Sequence, residues 1–285
     1  MDRFSKFHPL VSFSFFMLEI ILTVIYINPV FAALSLTFAF FYYLMLEGQR
    51  AFSIIFKTAL PLTAAVGIFN MLFCRYGATV LFSVKSLSFT LEPLAYGITM
   101  GVMLSAVIIW FLAYSLVIDS EKFAAVFGRA APNLSLLFLM VLRFVPLMRK
   151  TSKDIYDAQT GLGNETKGIK NTIKRFSALV SISLEKSIET ADAMRALGYS
   201  SKKRKHFSRF SFSIKDALAL ILIVFLFCVC AAFRLSGAFG FIYSPFLKIE
   251  NFSIADLVVF SVLSLFPTVI DLKEEIKWIF LRSKI

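Results

Sequence analysis

The chain has 285 residues, a net charge of +12, and 58% hydrophobic content that includes 34 phenylalanines. Globular chains average roughly 45–50% apolar residues, so the composition excludes an ordinary soluble protein and indicates a polytopic membrane protein with one polar insert. The cysteines Cys74, Cys228 and Cys230 form no Cys-x-x-Cys pair, which leaves neither a disulfide framework nor a cysteine zinc site.

A helix needs about 20 apolar residues to cross the hydrocarbon core, and six runs meet that need, some imperfectly. The first is about 10–27, ended by Asn28-Pro29, and the second about 30–46. Basic residues before the first run imitate a signal peptide, but a second run follows at once, and the pair is expected to stay as a tight hairpin. The third run is about 52–74, with a kink expected at Pro61. Residues 79–93 alternate and hold Lys85 and Glu92, which predicts an outside loop. The fourth run, about 94–118, carries Gly97-x-x-x-Gly101-x-x-x-Ser105, a small-residue stripe suited to close helix packing. The fifth is about 214–233 and the sixth about 254–270. Glu19, inside the first run, is either a transport residue or a carboxyl hydrogen-bonded by neighbouring Ser and Thr within the bundle.

The charge is uneven. Residues 119–212 hold 17 Lys/Arg and 8 Asp/Glu. With both termini inside, the outside loops contain Arg75, Lys85, Arg234 and Lys248, only four of 30 basic residues. By the positive-inside rule the termini and the 119–212 segment are expected to be cytoplasmic. The expected organisation is all-α: a membrane region over 1–118 with four spans, a cytoplasmic insert over 119–212, and a membrane region over 213–285 with two spans. The chain shows no nucleic-acid motif.

Within the insert, residues 120–132 predict a short amphipathic helix capped by Ser120, with Phe123, Val126 and Phe127 on one face. Pro132 opens a second helix, apolar as far as Leu142. Arg143 and Pro146 mark where it leaves the apolar layer, and Gly161-Leu162-Gly163-Asn164 stops it. A third helix is expected over about 166–197. Its residues Ile173, Phe176, Val180, Leu184, Ile188, Ala191 and Met194 form one stripe, expected to lie against neighbouring helices along the inner membrane face, and Gly198 ends it.

The two long helices end alike. Asp157-Ala158-x-x-Gly161-Leu162-Gly163 matches Asp192-Ala193-x-x-Ala196-Leu197-Gly198, thirty-five residues on. Small residues let a partner's groove close around a helix backbone, and each Leu offers one apolar anchor. Two such tips suggest two equivalent partners. Against this, Gly and Leu are common where helices stop, so the match is also open to chance.

The chain resembles the transmembrane coupling subunit, or T component, of energy-coupling factor (ECF) importers, related to the cobalt-transport membrane subunit. The resemblance covers nearly the whole chain. It rests on His8-Pro9, Asn28-Pro29, Arg143-Phe144-x-Pro146, Ala158-Gln159, and most specifically Ala191-Asp192-Ala193-Met194-x-Ala196-x-Gly198-Tyr199. The resemblance implies that each tip docks in one of two cytosolic ATP-binding-cassette ATPases, which bind the ATP. It implies that the chain needs no cofactor, is not an enzyme, and passes the ATPase motion to a small membrane-embedded S component that captures a vitamin or a transition-metal ion. The family places Arg between two small residues at each tip. Here Leu162 and Leu197 stand in those positions; Arg195 lies two residues before Leu197 on another face, and its counterpart in the first tip is Thr160.

His8 and His206 have no metal-ligand companions. No Walker-type phosphate loop or nucleophile–base pair is visible. The run Lys202-Lys203-Arg204-Lys205 is expected to meet anionic lipid. Two alternatives stay open: a conventional ABC importer permease with its own substrate path, and a membrane scaffold.

Overall fold

The computed structural model describes residues 4–74, 77, 79–84, 87–128, 132–163, 168–199, 210–237, 240–243, 248–250 and 253–282. Arg75, Lys85, Asn164, the run Lys202 to Lys205 and His206 lie outside these. The chain divides into two compact units, Met1–Phe123 with Phe212–Ile285, and Ala124–Ser211. Each is built from helices; the first also carries two short hairpins.

The first unit contains α1 (Pro9–Ile25), α2 (Pro29–Glu47), α3 (Gln49–Phe73), α4 (Leu91–Val117), α8 (Ile214–Leu235) and α9 (Ile254–Arg282). Among the described residues, five helical segments are long and apolar enough to cross a membrane: α2, α3, α4, α8 and residues 254–273 of α9. With 17 residues, α1 is shorter. Large apolar side chains such as Phe41, Phe56, Leu60, Phe69 and Phe111 stand exposed on the unit's surface, as a multi-pass bundle facing hydrocarbon requires.

Local chemistry sets the helix starts. Pro9 and Pro29 sit in the first turns of α1 and α2, where a missing N–H costs nothing. The preceding side chains cap them: His8 Nδ1 accepts from the Leu10 N–H at 3.2 Å and Asn28 Oδ1 from that of Val30 at 3.0 Å. Although three residues connect them, α1 and α2 touch little; α1 packs on α4 and α8, and α2 mainly on α4. α3 continues through Pro61 and α9 through Pro267.

Residues 79–93 are not a loop. β1 (Val80–Val84) pairs antiparallel with β2 (Leu87–Thr90), with an irregularity between Val80 and Phe82. α4 then starts at Leu91, three residues earlier than the apolar run suggests. The cause is Glu92, buried in the first turn, where the helix dipole favours an acid. It accepts hydrogen bonds from the Thr79 N–H (3.0 Å) and the Thr79 hydroxyl. A second hairpin joins β3 (Gly240–Ile242) to β4 (Lys248–Glu250).

α3 and α4 pack closely along one seam, and small residues permit it. A Cβ placed on Gly101 would lie 2.7 Å from Thr63 Cα; one on Gly97 would lie 2.9 Å from Gly67 Cα. Ser105 Oγ donates to the carbonyl of Ala59 across the same seam at 3.2 Å. The core beside it is aromatic: Phe15, Phe16, Tyr42 and Trp110 are fully buried. Trp110 Nε1 donates to Ser35 Oγ at 3.1 Å, and Ser35 meets Thr23 Oγ1 at 2.8 Å, tying α4, α2 and α1 together.

Buried acids close this unit over long stretches of sequence. Ser264 Oγ on α9 donates to Glu19 Oε1 at 2.6 Å. The Tyr26 hydroxyl donates to Asp256 Oδ1 at 2.7 Å. Asp216 accepts from the His8 N–H at 3.2 Å and from the Ser213 N–H at 2.8 Å, the latter as part of a capping box on α8. One oxygen of Glu19 is thus held within the bundle by a serine from α9, while Oε2 is buried with no partner among the described residues.

Gly101→Ala is expected to destabilise the first unit by about 1–3 kcal/mol, because the added methyl meets backbone rather than a movable side chain. Thermal unfolding of the detergent-solubilised protein measures this; an unchanged melting temperature contradicts the close α3–α4 seam.

Candidate functional site

The second unit holds part of α5 (Ser120–Phe127), all of α6 (Pro132–Gly161), and α7 (Ile169–Ala196). α5 differs from expectation. Ser120 lies inside its first turn, the Asp119 carbonyl accepts the Phe123 N–H at 2.9 Å, and the buried side chain is Ala124, while Phe127 is exposed. α6 begins at Pro132 and runs unbroken past Arg143 and Pro146. Arg143 is exposed, and among the described residues no acid pairs with it. Pro146 removes one helical hydrogen bond but does not end the helix.

α6 and α7 pack antiparallel through mixed side chains. Ser183 Oγ approaches Met148 Sδ at 2.7 Å, and Lys186 Nζ lies 3.4 Å from Thr151 Oγ1. The Arg175 guanidinium sits over the Tyr156 ring, 5.1 Å from its centre. A cavity of about 730 Å³ opens between the helices, lined by residues including Met140, Phe144, Met148, Leu179 and Met194.

Only the C-terminal end of the α7 stripe, Ala191 and Met194, lines this seam. Ile173, Phe176, Val180, Leu184 and Ile188 are 41–66% exposed. The reason is angular. Leu179, Ser183 and Lys186 turn toward α6, and the rest of the stripe, though regular, occupies the next face of the helix. Sequence periodicity finds a stripe but not the neighbour that covers it. The Tyr156–Arg175 contact was not visible in the sequence, because nothing in the spacing of the two helices links those positions.

The two helix ends share a left-handed glycine whose N–H closes onto a carbonyl three residues back. At the end of α7, the Gly198 N–H donates to the Arg195 carbonyl at 3.0 Å, and the Tyr199 N–H donates to the Met194 carbonyl at 2.9 Å. Gly198 has φ +80°. This is a Schellman ending, with Leu197 as the last half-helical residue. At the end of α6, the Gly163 N–H donates to the Thr160 carbonyl at 3.0 Å, and Gly163 has φ +73°. Leu162 takes the place of Leu197.

The structure leaves both tips open to solvent. Leu162 is 78% and Leu197 88% exposed. Asp157, Ala158, Gly161, Gly163, Asp192, Ala193, Arg195, Ala196 and Gly198 are also exposed. The two sets are not brought together. Each sits at its own helix end, and α7, on the order of 42 Å long at about 1.5 Å per residue, lies between them. Asp192 and Arg195 approach to 3.8 Å, an exposed i,i+3 pair that adds little stability. Full burial of a leucine is worth roughly 1.5–3 kcal/mol, and neither tip collects it within this chain.

Gly163→Ala and Gly198→Ala are expected to loosen the tips by about 1–2 kcal/mol each, since an L side chain is strained at positive φ. Gly161→Ala, in helical geometry with open space around it, is expected to be neutral or slightly stabilising. Amide hydrogen exchange in the last turn of each helix measures the difference; equal protection in all three variants contradicts the assigned endings. Compared with known proteins, the chain matches no protein-family model, and no curated protein is similar to it.

Proposed function

We propose that the chain is the transmembrane coupling subunit of an ECF-type ABC importer. The observation that carries this reading is the pair of solvent-exposed tips with one shared ending, Leu then left-handed Gly, at the ends of two long consecutive helices. Structural glycine stops account for the endings, but not for two leucines left in water.

The topology that fits has six spans, α1 included, because a 17-residue helix is at the lower limit for crossing hydrocarbon and α1 fills the core of its unit. Both termini and the α5–α7 segment then face the cytoplasm of a cell-membrane protein, with 26 of 30 basic residues inside or at the inner boundary. The chain itself hydrolyses nothing. Two cytosolic ATPases bind ATP, and each receives one tip. α6 and α7 act as stiff levers that carry the ATPase motion to an S component. That partner selects the cargo, a vitamin or a transition-metal ion. The basic run from Lys202 to Lys205 meets anionic lipid at the inner leaflet.

The test is to purify the tagged full chain from its native membrane and assay the eluate for MgATP hydrolysis and for its subunits. Two ATPase copies and a small hydrophobic protein are expected. ATPases alone favour a permease with its own substrate path, and no ATPase favours a scaffold. The double variant Leu162→Asp with Leu197→Asp is expected to lower the co-purified ATPase at least tenfold; unchanged assembly and uptake would refute docking through the tips.

A further inference from the structure

We infer that each tip is a leucine knob for an apolar socket rimmed by a Lys or Arg side chain, on two like copies of a protein partner. This rests on the coupling reading and specifies the chemistry of the partner's groove.

The knob follows from the helix geometry. Residues four apart share a helix face, so Ala158 and Leu162 form one ridge, and Ala193 and Leu197 the matching one. Beside them run Asp157 with Gly161, and Asp192 with Ala196. The residue before each leucine is small, and among the described residues no side chain or other segment lies within 4 Å of where a Gly161 Cβ would be. Each leucine therefore projects from the helix end, 78% and 88% exposed. No cation projects with it in the first tip, whose residues from Asp157 to Gly163 include no Lys or Arg. In the second tip, Arg195 faces its own Asp192 at 3.8 Å.

A socket that received a cation would leave these leucines unmatched and would repel both aspartates if it were acidic. An apolar socket buries the leucine, and a basic rim pairs with the carboxylate held at the same place in both tips. Because the two tips repeat each other, the sockets belong to like copies, and the length of α7 sets them on the order of 40 Å apart.

The experiment compares full-length variants at both tips, in complexes purified from native membranes with MgATP hydrolysis as the readout. Leu197 has φ −77°, which any L residue adopts, so the exchanges spare the fold; melting of each variant checks this. Leu162→Arg with Leu197→Arg is expected to lower co-eluting hydrolysis at least tenfold, and the conservative pair Leu162→Met with Leu197→Met to lose less than threefold. Asp157→Asn with Asp192→Asn is expected to weaken assembly and to flatten its dependence on salt. A photo-cross-linking residue at 162 or 197 is expected to capture ATPase peptides rich in aliphatic or aromatic residues, with Lys or Arg close by. Retained or increased hydrolysis with Arg, or captured peptides lined by Asp and Glu, overturns the socket while leaving tip docking intact. If no substitution changes hydrolysis and no ATPase peptide is captured, the coupling reading falls, and the socket with it.

Discussion

The last carbonyls of a helix have no partner further along the same helix, and in α6 and α7 the chain satisfies them by turning back at a glycine. Gly163 and Gly198 adopt positive φ, and their N–H groups reach the carbonyls of Thr160 and Arg195. A turn of this kind ends a helix abruptly. It also fixes the direction of the residue before it, and in both helices that residue is a largely exposed leucine. Everything proposed about function starts from that arrangement. A solvated polar tip would need no partner, whereas a large exposed apolar side chain on a stiff helix end is a recognised form of anchor.

The first unit solves a different problem. In hydrocarbon, polar groups must be satisfied within the protein. Glu19 and Asp256 each find a donor for one carboxylate oxygen far off in sequence, Ser264 and Tyr26, and Asp216 accepts from the His8 N–H. These bonds join the N-terminal helix to the two C-terminal ones, so residues before and after the second unit form a single bundle. The α3–α4 seam adds a contact so close that only glycine fits at Gly97 and Gly101 without displacement of the neighbouring backbone.

Much of this was legible in the sequence. Asn28-Pro29 and His8-Pro9 marked helix starts because both carry their own caps. Gly97-x-x-x-Gly101 marked a close packing face, and the repeated Asp-Ala-x-x-small-Leu-Gly marked the tips. What escaped had a common cause, dependence on a neighbour that local pattern does not name. The strand pair at residues 80–90 depends on pairing across a turn, and the early start of α4 depends on Glu92 reaching Thr79. Which side of α7 meets α6 depends on Met148 and Thr151, so Ile173 to Ile188 of the stripe stand exposed within the chain, while Ala191 and Met194 line the cavity beside α6. The α5 cap was placed one residue late because Asp119 and Ser120 are both good caps and only the hydrogen bond to Phe123 separates them.

The most direct measurement is a structure of the chain as purified from its own membrane, with bound subunits retained. The account predicts Leu162 and Leu197 each seated in a separate copy of a nucleotide-hydrolysing subunit on the cytoplasmic side. Density that shows either leucine packed against the chain's own membrane helices, or both tips in open water beside bound ATPases, would contradict it.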